Sequence, residues 1–158
     1  MQCNQLFQQN LLYYNIDSQN IYQLFEKIGS LLIASEYVEP TFTTALIERE
    51  KHFPTGLQLE GITIAIPHTD VEHIREPFIA AAKTTEPLKV GDMGNTDNQF
   101  DVSYFFFLGI TEPEEQVEVL QYLMNLFSDK RFVNALKAAS NESELYEAIQ
   151  NPVRSEVL

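Results

Sequence analysis

The run Val102-Ser103-Tyr104-Phe105-Phe106-Phe107-Leu108 constrains the fold more than any other part of the chain. It has the length of a strand, yet its apolar and aromatic residues follow one another without the alternation that a half-exposed strand shows. Such a strand belongs at the centre of a sheet, with layers above and below it. Upstream, Gly61-Ile62-Thr63-Ile64-Ala65-Ile66-Pro67-His68-Thr69-Asp70 does alternate: Ile62, Ile64 and Ile66 are separated by the small Thr63 and Ala65. That is the period-two pattern of a buried strand. Pro67 cannot donate to a sheet ladder, so the strand is expected to stop there and to deliver His68 at its exit.

The remaining elements follow from periodicity. A first strand is expected near 11–16, and Asp17-Ser18 offers an N-cap for a helix striped by Ile21, Leu24, Phe25, Ile28, Leu31 and Leu32. A second helix is expected from Pro40-Thr41 to about Lys51, with Phe42, Ala45 and Leu46 facing inward. Arg49 follows Ala45 and Leu46 by four and three residues, which puts its guanidinium on or beside the buried stripe, where a cation wants an anion. Pro54-Thr55-Gly56 reads as a turn before the strand to Ile66. A loop through 72–76 leads to a strand at 78–82, and 91–98 forms a polar, glycine-bearing loop. The last third is helical, with stripes of Val117, Leu120, Leu123, Met124 and Phe127, then Phe132, Val133 and Leu136, then Leu145 and Ile149 after a Ser140 cap. Strands in the middle bracketed by helices predict an α/β (α+β) fold: one domain over 1–158, a three-layer α/β/α sandwich on a central mixed β-sheet.

Composition bounds the function. A net charge of -13 repels nucleic-acid phosphates and anionic lipid, and favours a basic protein partner over either. Simple solubility is the plainer use of such a charge. No run of about 18 apolar residues occurs and the N-terminus lacks a secretory plan, so no direct membrane insertion and a cytoplasmic location are expected. The single cysteine, Cys3, rules out an internal disulfide, and in a mobile terminus it is expected to be incidental. His68 and His73 are five apart and have no third ligand at suitable spacing, so no metal site is expected. His52 and His73 read as surface residues and Asp70 as a turn former.

Imidazole is the side chain that can be a neutral nucleophile near neutral pH. A phosphoryl group on His68 would need donors, and Arg49 supplies a permanently charged fork. Thr55, Thr69 and the amides around Gly56 could add more. On spacing alone, the plainer reading has His68 as a hydrogen-bonded loop residue and Arg49 as a surface ion pair with Glu48 or Glu50, and it outweighs the phosphoryl reading.

Leu46-Ile47-Glu48-Arg49-Glu50, Pro54-Thr55-Gly56 and Ile64-Ala65-Ile66-Pro67-His68 together resemble the signature of the fructose/mannitol-type (type 2) enzyme IIA of the bacterial phosphoenolpyruvate-dependent sugar phosphotransferase system. The resemblance covers nearly the whole chain and implies the mannitol/fructose-like enzyme IIA fold. It also implies that His68 is the phosphorylated nucleophile, that Arg49 stabilises the phosphate, and that no cofactor is required. The implied partners are the histidine-containing phosphocarrier protein as donor and a sugar-specific enzyme IIB, with its membrane enzyme IIC, as acceptor. Mannitol-type members carry a second histidine where this chain has Gln116, which can donate a hydrogen bond but carries no charge. Gln116 and the Phe53-Pro54-Thr55-Gly56 element resemble the galactitol variant. Two other uses of the fold stay open: a regulatory, nitrogen-related enzyme IIA that signals by binding proteins, and a non-catalytic binding module.

Overall fold

The computed structural model describes residues 3–157, with side-chain environments described through Gln150. One five-stranded sheet runs in the order β1-β4-β5-β3-β2, built from β1 (Phe7–Ile16), β2 (Gly56–Leu59), β3 (Ile62–Ala65), β4 (Phe78–Gly91) and β5 (Gln99–Gly109). β1 with β4 and β3 with β5 pair parallel, while β2 with β3 and β4 with β5 pair antiparallel, so the sheet is mixed. Helices α1 (Ile21–Ala34) and α2 (Phe42–His52) cover one face; α3 (Gln116–Phe127), α4 (Lys130–Ala138) and α5 (Glu142–Val157) cover the other.

The aromatic run is the central strand, as expected. Phe105 and Phe107 enter the core beneath α1 and α2 with Leu24, Phe25, Ile28 and Phe42, whereas Phe106 and Leu108 enter the opposite core with Leu123, Phe127 and Phe132. Phe25 meets Phe107 edge-on at 5.6 Å between ring centroids, and Phe127 meets Phe106 at 5.0 Å, geometries that aromatic quadrupoles favour. Gly109, at the end of this strand, pairs with Phe78. A Cβ at Gly109 would lie 2.1 Å from the Phe78 ring, which is itself fully buried against Tyr37 and Phe42. Gly109→Ala is therefore expected to destabilise the fold by about 1–3 kcal/mol, the range typical of overpacking, as read from chemical denaturation. An unchanged midpoint would mean that the Phe78 ring has room to move.

Several boundaries differ from expectation. The strand before His68 is a hairpin: β2 and β3 are joined by Glu60-Gly61, with Gly61 at φ +85°, and β3 ends at Ala65. α1 is capped by Asn20, whose side chain accepts from the Gln23 amide, and not by Asp17-Ser18. Its Leu31 is 44% exposed, because Gly29 takes the place nearest α2 and lies against Thr43. On α3, Val117 is 74% exposed, whereas Val119, Leu123, Leu126 and Phe127 are buried. The row 119, 123, 126 follows helical spacing onto the sheet, and Val117 sits about 200° around the helix from Val119. α5 is capped by Asn141, which accepts from the Glu144 amide, while Ser140 donates to the Glu144 carboxylate. Cys3 is not in a loose terminus but is buried in a turn against the core of the α3–α5 face.

Candidate functional site

His68 lies where the chain leaves β3. The carbonyl of Pro67 accepts from the Leu108 amide at 3.0 Å, and His68 forms a single parallel bridge with Leu108. The central strand thus clamps both sides of the histidine's backbone. The imidazole is 8% exposed, and its Nδ1 lies 2.7 Å from the Ile66 carbonyl. A carbonyl only accepts, so Nδ1 carries the proton and donates, leaving the lone pair of a neutral ring on Nε2. Facing that nitrogen, at 3.4 Å, is the side-chain amide nitrogen of Gln116, the first residue of α3.

Burial holds the His68 pKa below its ordinary 6.5. The hydrogen bond to Ile66 and the Asp70 carboxylate oppose this, and the Arg49 guanidinium adds to it. The ring is therefore neutral at pH 7. Protonation disfavours the folded state: that penalty is absent above the unfolded value and grows as pH falls through the folded one.

Arg49 does reach this site from the last turn of α2. It pairs with neither Glu48 nor Glu50: its Nη1 is 3.4 Å from Asp70 Oδ1, and the guanidinium lies over the Phe53 ring at 5.5 Å. Its Nε is buried without a hydrogen-bond partner. Buried donors normally find an acceptor, so this N–H is left over for an anion that reaches it. Asp70, read as a turn former, precedes the turn Val71–His73 without capping it through its side chain, which leaves the carboxylate to Arg49. His73 is half-buried rather than on the surface, with Nδ1 2.8 Å from Thr41 Oγ1. His52 is exposed.

The other anticipated donors are placed differently. Thr55 is buried, and both its amide and its hydroxyl donate to the Glu50 carboxylate, at 2.8 Å each, not toward His68. Gly56 lies in β2, where a Cβ would sit 2.6 Å from the Gly91 carbonyl; close backbone approach accounts for this glycine. Thr69 is buried beside His68, and its hydroxyl donates to the Asp70 carbonyl at 3.0 Å. The residue that sequence reasoning missed is Glu50, which had been weighed only as an ion-pair partner for Arg49. It is 4% exposed, and burial raises its pKa against the lowering effects of the Thr55 donors and Arg49. Glu50 and Thr55 both lie in the motif segments that carry the resemblance, but a glutamate five residues before a threonine has no distinctive pattern of its own, so the sequence did not mark their pairing.

A buried neutral imidazole whose Nε2 lone pair faces a neutral amide, near a guanidinium with an unused donor, suits reversible binding of a tetrahedral anion on nitrogen. The sequence model for the phosphoenolpyruvate-dependent sugar phosphotransferase system, EIIA 2, matches residues 5–151. The chain belongs to this family. It is an enzyme IIA-type phosphotransferase component of that system, a class that works through a phosphohistidine. The chain is 31% identical over 114 residues to the galactitol-specific EIIA component of Escherichia coli K12, covering 72% of this chain and 75% of that protein. Its fold is similar to that of E. coli enzyme IIAMTL, solved in complex with phosphorylated enzyme IIBMTL: TM-score 0.72, 20% identity, 92% of this chain and 99% of that one. It is also similar to the nitrogen regulatory protein IIA-Ntr of Neisseria meningitidis: TM-score 0.69, 24% identity, 92% and 97% covered. The two structural likenesses bear on the fold alone. Among the described residues no helix is long and apolar enough to cross a membrane.

Proposed function

We propose that this enzyme IIA carries a phosphoryl group on His68 Nε2 between the histidine-containing phosphocarrier protein and the enzyme IIB of a galactitol or related polyol transporter. The single observation behind this reading is the imidazole's arrangement, with Nδ1 committed to the Ile66 carbonyl and Nε2 turned toward Gln116. In the forward step the Nε2 lone pair attacks phosphorus. The donor's P–N bond breaks, and its electron pair returns to the donor imidazole. The Nδ1 proton stays on its bond to Ile66, which stabilises the positive charge the ring gains. Arg49 offers its Nε and its outer nitrogens to the phosphoryl oxygens, and Gln116 offers one N–H. The work is positioning and charge stabilisation, in a site the fold has already built. A net charge of -13 suits a basic phosphocarrier as the docking partner, in the cytoplasm where such carriers work.

The galactitol assignment is supported by the 31% identity to the galactitol-specific component and by a glutamine, not a histidine, facing the acceptor nitrogen. It is tested by offering the phosphorylated protein purified galactitol-type and mannitol-type enzymes IIB, each with its membrane component. Phosphate is expected to pass to the galactitol-type enzyme IIB. Transfer to neither would favour a signalling role, and transfer only to the mannitol-type would overturn the assignment.

Because burial depresses the His68 pKa, the acceptor stays neutral where a free imidazole would be half protonated. The single-turnover rate of phosphate acceptance is therefore expected to hold through pH 6.5 and to fall only below it. Half-loss of rate above pH 6.5 would show that the ring is solvated, not buried.

A further inference from the structure

Glu50 is the one buried carboxylate among the described residues, and phosphoryl transfer as derived above makes no direct use of it. We propose that Glu50 is a positioning residue that fixes the tautomer and direction of the His68 imidazole through Thr55 and Ile66. Both carboxylate oxygens are used: Oε2 accepts the Thr55 amide and Oε1 the Thr55 hydroxyl, each at 2.8 Å, so Thr55 is held at two points. The Thr55 carbonyl then accepts from the Ile66 amide at 3.2 Å. The carbonyl of that same Ile66 accepts the Nδ1 proton of His68 at 2.7 Å. Glu50, Thr55, Ile66 and His68 thus form one continuous hydrogen-bonded path. It ends on the proton that decides which imidazole nitrogen is free to attack. The inference rests on reading His68 as the acceptor.

Glu50's location argues against a purely structural role. It sits in the last turn of α2, where the helix dipole disfavours a negative charge, and it is buried, which disfavours it again. An apolar residue at 50 facing a valine at 55 would fill similar space without either penalty, as apolar replacements of buried charged groups often do. What that pair would lose is the two-point hold on the turn, and with it the direction of the Ile66 peptide. Residues that orient a reacting imidazole through its second nitrogen act in this way, by tautomer and angle rather than by contact with substrate.

The test uses the intact, unphosphorylated protein with ¹⁵N-labelled histidine. The imidazole nitrogen shifts of His68 report its tautomer directly, and single-turnover acceptance from the phosphorylated phosphocarrier is measured alongside. In the wild type the Nδ1–H form should dominate. In Glu50→Ala it should give way to a mixture, and acceptance should slow by about 10-fold or more. Glu50→Gln, which keeps an acceptor oxygen for one Thr55 donor, should fall between. If Glu50→Ala fails to fold, Glu50→Gln and Thr55→Ala carry the same readout, since each removes one of the two bonds. An undisturbed Nδ1–H form in the folded variants overturns the proposal, whatever happens to the rate. The tautomer needs no phosphate to be read, so a wild type that accepts no phosphate would refute the functional reading separately.

Discussion

Replacing His68 with alanine is expected to abolish phosphate uptake while leaving a folded protein. No neighbouring side chain can take over the chemistry: Gln116 faces the same space but its amide nitrogen is not nucleophilic, and the Thr69 hydroxyl donates to the Asp70 carbonyl. The half-buried His73 is tied to Thr41. The variant should still fold because the backbone at position 68 is held by the bridge to Leu108 and by the Pro67 carbonyl, neither of which needs the imidazole. Losing the ring leaves the Ile66 carbonyl without its Nδ1 donor, so a stability loss of about 1–3 kcal/mol is expected. Circular dichroism and a denaturation midpoint check the fold, and phosphate incorporation checks the chemistry. Uptake by a folded His68→Ala protein would place the phosphate on another residue.

The second large effect is expected at Arg49. Arg49→Ala should slow single-turnover transfer by ~10- to 1000-fold, which corresponds to about 1.4–4 kcal/mol of lost transition-state stabilisation. Its effect on stability should be small, below about 1 kcal/mol, because the guanidinium is partly exposed and its ion-pair partner Asp70 is 74% exposed at a distance of 3.4 Å. That contrast is diagnostic. A structural arginine would lose stability and keep rate, whereas an arginine held by a long, exposed ion pair and a 5.5 Å contact over the Phe53 ring, with its Nε unused, should do the reverse. Arg49→Lys should lie between, since it keeps the charge and loses the planar fork. A full-rate Arg49→Ala enzyme would reduce the residue to a partner for Asp70.

The parts of the fold that could be read from the sequence were those dictated by a single period. The Val102–Leu108 run had to be covered on both faces, and the alternation of Phe105, Phe106, Phe107 and Leu108 between two cores shows why. Ile62 to Ala65 read correctly as a strand for the same reason. The hairpin before it was hidden because Leu57 and Leu59 are only partly buried and Glu60-Gly61 is a weak turn signal beside the usual asparagine or aspartate with glycine. The α3 stripe slipped at Val117 because hydrophobicity cannot distinguish an apolar residue facing the sheet from one left on the rim beside Gln116. The motif pointed to His68, Arg49 and Gln116, and the structure puts Gln116 against the His68 ring and Arg49 against Asp70, two residues beyond His68. Glu50 was not legible, because its significance lies in which donors it meets, and those are set by the turn that brings Thr55 back against α2.

The most direct test of the central claim is intact-protein mass spectrometry at alkaline pH, after incubation with phosphoenolpyruvate, enzyme I and the phosphocarrier protein, on wild type and His68→Ala side by side. The account predicts one added phosphate on the wild type and none on the variant. No phosphate on the wild type, or equal phosphate on both, would contradict it.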